Sequence, residues 1–99
     1  MSERGQRINI ELSEKEAEGI YSNLAMISHT QSEIILDFAR VLPGVPKGKV
    51  YARIIMTPQH AKMLEKALSD NLRKFEDRHG QIKLSPEADK HIGFQISKE

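Results

Sequence analysis

The chain has 99 residues and a mass of 11.3 kDa, which is the size of one small domain and leaves little room for a second. Its 15 Lys and Arg residues nearly balance 14 Asp and Glu residues, for a formal net charge of +1, which argues against a dedicated polyanion binder and against a chain too charged to collapse. The absence of cysteine excludes disulfide scaffolds, zinc ribbons, thiol catalysis and cysteine-ligated iron–sulfur clusters.

Four antiparallel strands are predicted in the first half of the chain. Apolar and polar residues alternate in the segment 7–12 with the period of two that a half-buried strand requires. The other three strands are predicted at 19–28, 33–42 and 49–56. The polar segment 29–32 has the length of a hairpin connection. Residues 43–48 contain two prolines and two glycines, which predict a turn.

A long helix is predicted from Pro58 to His79. Thr57 suits the N-cap, where its hydroxyl accepts from free backbone amides, and Pro58 suits the first helical position because it has no N–H. Gly80 is of the type that ends many helices. Apolar residues at spacings of three and four form one stripe on the helix, and they are Ala61, Leu64, Leu68, Leu72 and Phe75. We expect this stripe, with Leu68 at its middle, to be core and the opposite side of the helix to face solvent.

These elements predict an α+β fold, in which a four-stranded antiparallel meander is followed by one long helix packed on one sheet face. A single domain would occupy residues 7–80. Residues 1–6 are polar and are expected to be disordered, and residues 81–99 are expected to form a C-terminal tail. An added strand is the alternative for this tail, because Ile92, Phe94 and Ile96 alternate near its end.

The sequence contains no pattern of residues that indicates catalysis or metal binding. No two of its histidines, His29, His60, His79 and His91, lie within four residues of each other, so they lack the spacing of a metal site. Ser28 and His29 are adjacent, and neighbours on an extended segment point to opposite faces, so they do not form a nucleophile–base pair. Phosphate-loop, dinucleotide-binding and metalloprotease motifs do not occur. We predict that the chain is not an enzyme and has no catalytic residue, no metal and no cofactor.

Asp37 is a charged residue inside an apolar strand. An unpaired carboxyl between Leu36 and Phe38 would have a raised pKa and could serve as an acid. The alternative, which we prefer, is that Asp37 points out of the sheet or pairs with Arg53 or Arg40.

The sheet is expected to carry apolar side chains on both faces, whereas one helix can cover only one face. A helix of about 22 residues is ~33 Å long and spans a four-stranded sheet that is ~19 Å wide. Monomers seldom expose the contiguous apolar patch that would remain, so we predict a homo-oligomer that assembles through the sheet face. The alternative is that the segment 82–96 folds over this face.

A nucleic-acid partner is the alternative suggested by residues 47–53. This stretch places Lys47, Lys49 and Arg53 around Tyr51 on a predicted strand, as RNA-reading sheets do. Such sheets stack bases on two or three exposed aromatic residues. The chain has only 2 Tyr, 3 Phe and a net charge of +1, so nucleic acid is the less favoured partner.

The segment 57–60 allows two interpretations. Gln59 and His60, presented at a helix N-terminus beside free backbone amides, would form a small anion or partner site. The favoured interpretation is capping alone, because a junction between a strand and a helix requires Thr57 and Pro58 in any case.

No membrane partner is expected. No apolar run approaches the roughly 20 residues that span a bilayer, and no apolar signal-peptide core follows the polar N-terminus. We therefore predict a cytoplasmic location.

Distinctive motifs occupy residues 18–24, 27–30 with 32–33, 36–44 and 52–62. The most specific is Thr57-Pro58-Gln59-His60-Ala61-Lys62. Together they resemble an uncharacterised bacterial and archaeal family, domain of unknown function 3467, over roughly residues 17–82. That family has no assigned activity, so the resemblance implies no catalytic or binding residue. The order of four antiparallel strands and a long helix is also similar to the protein-export chaperone of bacteria, whose sheets associate into oligomers.

The function predicted from the sequence is that of a non-enzymatic interaction or assembly module. It would oligomerise through its sheet face and could, like a chaperone, hold an apolar peptide segment of a protein partner. The alternative is a nucleic-acid-associated binding protein.

Overall fold

Three consecutive antiparallel strands and one long helix make up the α+β fold of the chain. The computed structural model describes residues 8–84 and 93–96. Its elements in chain order are α1 (Glu14–Ala17), β1 (Leu24–His29), β2 (Ile34–Arg40), β3 (Lys49–Met56), α2 (Pro58–His79) and β4 (Gly93–Ile96). The strand order across the sheet is β3-β2-β1-β4, in which β2 is antiparallel to β1 and β3, and β4 is parallel to β1. The predicted α+β class is confirmed, with three antiparallel strands in place of the predicted four-stranded antiparallel meander.

A tight turn joins β1 to β2. The backbone N–H of Thr30 donates to the carbonyl of Glu33 at 3.0 Å. The hydroxyl of Thr30 accepts from the amides of Ser32 and Glu33 at 3.2 and 3.1 Å. A hydroxyl at this position satisfies backbone donors that the turn would otherwise leave free. The hairpin connection predicted at residues 29–32 is confirmed.

Polar side chains that precede β1 hold the end of β2. The side-chain amide of Asn23 donates to the carbonyl of Val41 and accepts from its backbone N–H, both at 2.9 Å. The hydroxyl of Ser22 donates to the carbonyl of Ala39 at 3.0 Å. The side chain of Asn23 thus satisfies the backbone N–H and C=O of Val41, which a neighbouring strand would otherwise satisfy. β2 ends one residue earlier, at Arg40.

A β-bulge in β3 changes which face its residues occupy. Phe38 of β2 lies opposite Ala52, but Ala39 lies opposite Val50, so Tyr51 is the extra residue. Val50 therefore shares a face with Ala39, whereas Ala52 shares the other face with Phe38. Strict alternation along residues 49–56 would place Val50 and Ala52 on one face, but alternation does not continue across a bulge.

The buried residues of the described part of the chain lie in β1 and β2. They are Ala25, Leu36, Asp37 and Ala39. Leu36 and Ala39 lie on opposite faces because strand residues alternate with a period of two. β3 is more open, since Ile54 and Ile55 keep 43% and 53% of their surface exposed. The interior formed by the described residues is therefore small.

The helix α2 begins and ends at the predicted residues. Thr57 is its N-cap, and the Thr57 hydroxyl accepts from the backbone N–H of His60 at 3.1 Å. Gly80 follows the last turn with a φ of +95° and donates to the carbonyl of Glu76 at 2.9 Å. A positive φ favours glycine, because a side chain would be strained there. The predicted cap residues and the long helix are confirmed.

The helix α2 does not pack on a sheet face. None of its residues is buried, and Leu64, Leu68, Leu72 and Phe75 keep 43 to 50% of their surface exposed. The prediction of a helix packed on one sheet face, with Leu68 in the core, is wrong for the described residues of the single chain. The reason is that an apolar stripe shows that a helix needs a partner surface without specifying which surface provides it.

The N-terminal segment is not a strand of the sheet. Residues 8–12 form neither strand nor helix, and their three large apolar side chains are 73 to 90% exposed. The backbone N–H and C=O groups of a strand need hydrogen-bond partners in a neighbouring strand. The edge of β1 away from β2 could have provided them to residues 8–12, but this edge is paired with β4. Ser13 instead caps α1: its hydroxyl accepts from the amide of Glu16 at 3.5 Å and donates to the Glu16 carboxylate.

Two predictions concern the ends of the chain. Residues 1–6, predicted to be disordered, lie outside the described residues. In the segment 81–99, residues 85–92 and 97–99 also lie outside them, and Gly93–Ile96 form β4. β4 pairs with the edge of β1, so this described piece does not cover a sheet face.

Candidate functional site

The first candidate surface is the apolar row of α2, called here the α2 stripe. It consists of Ala61, Leu64, Leu68, Leu72 and Phe75. Ala61 and Leu72 are 11 residues apart, and so are Leu64 and Phe75. A repeat of 11 residues corresponds to about 3.67 residues per turn, close to the ~3.6 of a straight helix. The α2 stripe therefore stays on one side of the helix along its whole length.

The other side of α2 is polar. The side chains of Asp70 and Arg73 form an ion pair there. Phe75, at the end of the α2 stripe, contacts the ring of His79, with 4.7 Å between the ring centres.

Neither of the two helices in the described residues has the length and apolar content that crossing a bilayer requires.

The second candidate surface is β3, at one edge of the sheet. Ile54 lies opposite Leu36 and Ile55 lies opposite Ile35, so the two exposed isoleucines are on different faces. The prediction of apolar side chains on both sheet faces is confirmed at this strand. Among the described residues, β3 has a strand neighbour on one side only. Edge strands of this length are surfaces on which another chain can pair.

Asp37 and Arg53 form an ion pair across β2 and β3. They lie opposite each other in the register, and Nε and Nη2 of Arg53 donate to the two carboxylate oxygens at 2.7 and 2.9 Å. These hydrogen bonds hold the pKa of Asp37 below its ordinary value, although burial of the carboxylate acts in the opposite direction. The same contact raises the pKa of Arg53. Asp37 is therefore an ion-pair residue, as the preferred prediction stated, and not an acid with a raised pKa.

The third candidate surface is a cavity of about 430 Å³ beside the bulge, called here the basic pocket. The ring of Tyr51 lines it. The guanidinium carbon of Arg40 is 4.4 Å from the centre of this ring, and Nζ of Lys49 is 5.0 Å from it. Both are cation–π distances. The lining residues are Arg40, Leu42, Val45, Lys47, Gly48, Lys49 and Tyr51.

The basic pocket contains three of the four residues predicted to contact nucleic acid. Lys47, Lys49 and Tyr51 line it. Arg53 does not, because its guanidinium is bound to Asp37 on the opposite face of the sheet. Sequence reasoning missed Arg40, which comes from β2 and lies opposite Lys49. The strand register is the signal that could have found it, and the bulge hides this register in the sequence.

Gln59 and His60 lie in the first turn of α2, and both are exposed. Nδ1 of His60 is 2.9 Å from the hydroxyl of Thr57, which also accepts from the backbone N–H of His60. The ring of His60 thus lies against the cap residue. The anion or partner site at Gln59 and His60 stays a prediction.

The histidines of the described residues do not converge. His29 is at the end of β1, His60 in the first turn of α2 and His79 in its last turn. In the part of the chain that the structure describes, no three His, Asp or Glu side chains are grouped as metal ligands would be.

Comparison with protein families identifies the family of this chain. Its residues 1–84 match the family described as "Protein of unknown function (DUF3467)". The chain belongs to this family. The matched region includes β1, β2, β3 and α2, and with them every side chain of the α2 stripe and of the basic pocket. No match was found among curated proteins or among solved structures, so the likeness to the protein-export chaperone stays a prediction.

Proposed function

We propose that the chain is a non-enzymatic interaction and assembly module that forms a homo-oligomer through the α2 stripe and the sheet. The exposure of the α2 stripe carries this proposal. The sequence led us to expect that the helix covers one sheet face and leaves the other face uncovered. The described residues instead leave both the helix and the edge of the sheet open, so each of them lacks a partner surface.

The exposed state of α2 is energetically unfavourable. Most helical stability in proteins comes from packing an apolar face, and helical propensity alone is seldom sufficient. Complete burial of a Leu or Phe side chain is worth about 1.5–3 kcal/mol. The four large side chains of the α2 stripe are about half exposed. Covering them would therefore add about 3–6 kcal/mol per chain.

A second copy of the chain is the occupant that we favour. The α2 stripe is about 33 Å long and roughly 10 Å wide, so its area of about 330 Å² is less than half of the ~800 Å² that each partner contributes to a stable interface. Ile54 and Ile55, on different faces of the strand that directly precedes α2, each add apolar surface for a partner on that face. In a two-fold pair, α2 of each copy would lie on the β3 side of the other. Such a pair covers both surfaces at once, because a two-fold interface uses the same patch from both chains.

A chaperone-like role is the second form of this proposal. The α2 stripe would then hold an apolar peptide segment of another protein. Self-association is favoured because one chain already contains both open apolar surfaces, the α2 stripe and the isoleucines of β3.

Size-exclusion chromatography with light scattering tests the proposal. At micromolar concentration the wild-type chain should have at least twice the chain mass of 11.3 kDa. The double variant Leu68→Gln/Leu72→Gln should shift toward the monomer. The matched control Lys66→Gln/Lys74→Gln changes the opposite side of α2 and should keep the wild-type mass.

Two results would contradict the proposal. One is a wild-type monomer whose circular dichroism shows α2 fully formed. The other is a wild-type oligomer that the Leu68→Gln/Leu72→Gln variant leaves intact. A monomer that becomes oligomeric or gains stability only on addition of an apolar peptide would favour the chaperone-like form over self-association.

A further inference from the structure

The basic pocket concentrates positive charge, and no carboxylate of the described residues is paired with it. Arg40, Lys47 and Lys49 all line the pocket, and none of them forms a salt bridge with an acidic residue of the described chain. Arg53 is nearby in sequence but is neutralised by Asp37. The three pocket cations therefore differ from the arginine that serves the fold.

The fold holds two of these cations directly opposite each other. Arg40 and Lys49 are partners in the register of β2 and β3, and like charges at opposite positions of a sheet destabilise it. The ring of Tyr51, placed by the bulge, contacts both cations and offsets part of this repulsion. Nε of Arg40 donates to the carbonyl of Tyr21 at 3.4 Å, which orients the guanidinium while its terminal nitrogens can donate elsewhere. A bound anion would remove the remaining repulsion.

The basic pocket also has an apolar wall and a suitable size. Leu42 and Val45 line it, and both are exposed. Its volume of about 430 Å³ lies within the range of roughly 300–1,000 Å³ that is usual for small-ligand sites. Gly48 keeps the connecting loop close to β2, because a Cβ there would lie 3.1 Å from Cγ2 of Val41.

We propose that the basic pocket binds a phosphorylated organic ligand. Arg40, Lys47 and Lys49 would hold the phosphate, because a guanidinium fork and two ammonium groups match a multiply charged oxyanion. Leu42 and Val45 would contact the organic part of the ligand. The shared chemistry is a phosphate attached to a nucleoside, and its source is either a free nucleotide or a nucleotide of a single strand. The proposal does not depend on self-association, and it assigns a physical site to the nucleic-acid alternative.

Isothermal titration calorimetry with the full chain tests this site. The probes are inorganic phosphate, adenosine, adenosine 5′-monophosphate and a short single-stranded oligothymidylate. Adenosine 5′-monophosphate should bind more tightly than phosphate or adenosine alone. Lys47→Glu and Lys49→Glu should each weaken binding by about tenfold or more. Lys66→Glu and Lys74→Glu make the same charge change on α2 and should alter the affinity by no more than about twofold.

Tyr51 is a positioning residue in this proposal. Its ring keeps Arg40 and Lys49 together, whereas its hydroxyl is not required. Tyr51→Phe should therefore retain ligand affinity, and Tyr51→Leu should reduce it although every cation remains. Equal affinities for Tyr51→Phe and Tyr51→Leu would overturn this role, provided that circular dichroism shows both variants folded.

The two probes with a nucleoside phosphate distinguish the source of the ligand. Binding of adenosine 5′-monophosphate indicates a free nucleotide, whereas binding of the oligonucleotide alone indicates a strand. For the strand, one phosphate held by the three cations predicts a slope of about −0.7 in a plot of log affinity against log salt concentration. Failure of every phosphate probe to bind the folded wild type would overturn the proposal. So would binding that Lys47→Glu and Lys49→Glu leave unchanged.

The oligomeric mass separates this proposal from the assembly proposal. Lys47 lies in an exposed loop, so Lys47→Glu should fold and should have the mass of the wild type in light scattering. Loss of ligand binding with unchanged mass would support the basic pocket on its own. Absence of binding by a wild type that is oligomeric would reject the pocket and leave the assembly proposal standing.

Discussion

Replacement of Leu68 by alanine tests whether the α2 stripe is covered in solution. In the single chain, Leu68 keeps 50% of its surface exposed. Complete burial of a leucine side chain is worth about 1.5–3 kcal/mol, so truncation of a half-exposed leucine costs at most about 1.5 kcal/mol. If a second copy covers the stripe, Leu68 is a core residue and its truncation costs about 2–5 kcal/mol. We expect the larger loss.

The assay is urea denaturation at two protein concentrations, in which the loss of helix is monitored by circular dichroism. If folding and association are coupled, a hundredfold rise in concentration stabilises the protein by RT ln 100, or about 2.7 kcal/mol per dimer. The Leu68→Ala variant should lose stability at both concentrations. Lys74→Ala, on the opposite side of α2, is the control and should change the free energy of unfolding by less than about 0.5 kcal/mol.

One combination of results would show that the α2 stripe is not covered by a second copy. A loss below about 1.5 kcal/mol for Leu68→Ala, together with unfolding that is independent of concentration, would mean that the α2 stripe faces solvent. Equal losses for Leu68→Ala and Lys74→Ala would mean instead that the wrong side of the helix is assigned as apolar.

Three further predictions concern contacts within the chain, and urea denaturation measures each of them. Thr57→Ala should lower the free energy of unfolding by about 0.5–2 kcal/mol, because an amide at the start of α2 loses its acceptor; no change would contradict the cap. Asn23→Ala should cost about 1–3 kcal/mol, because both backbone groups of Val41 lose their partner, whereas the exposed control Gln31→Ala should cost less than about 0.5 kcal/mol. Ionised Asp37 stabilises the fold and its pKa is lowered, so its contribution is complete above the unfolded pKa of about 3.9 and disappears as the pH falls through the folded value. The stability difference between wild type and Asp37→Asn should therefore shrink on acidification through this window, and a difference that does not change with pH would contradict the assignment.

The bounds of β3 and α2 could be predicted because local residues determine where these elements begin and end. Thr57 and Pro58 suit only the start of a helix, and Gly80 adopts the positive φ that follows its last turn. These preferences act over a few neighbouring residues, so they can be recognised in the sequence without knowledge of the fold.

The incorrect predictions all depend on a distant part of the chain. The alternation at residues 8–12 is typical of a strand, but a strand forms only where another strand offers an open edge, and β4 occupies the edge of β1. The α2 stripe likewise depends on another surface. The spacing of its apolar residues shows which side of the helix is apolar but does not show what packs against that side. Alternation along β3 places Val50 on the wrong face because one extra residue, Tyr51, shifts the pairing with β2.

The basic pocket could be predicted in part for the same reason. Lys47, Lys49 and Tyr51 are close in sequence, so their proximity in space was foreseeable. Arg40 lines the pocket because the pairing of β2 with β3 places it opposite Lys49. Arg53 was predicted with the other cations but does not line the pocket, because it forms an ion pair with Asp37 on the neighbouring strand. Proximity in sequence alone does not distinguish a basic side chain that forms an ion pair within the fold from one that is available to a ligand.

The α2 stripe and the basic pocket depend on different forces, so salt should affect them differently. Burial of Leu64, Leu68 and Phe75 is driven by the removal of apolar surface from water, which moderate salt does not weaken. Binding at Arg40 and Lys49 is electrostatic and should weaken as salt rises. A rise in sodium chloride should therefore reduce ligand affinity while the oligomeric mass stays constant. If the oligomer itself dissociates as salt rises, charged contacts hold the copies together and the α2 stripe is not their main interface.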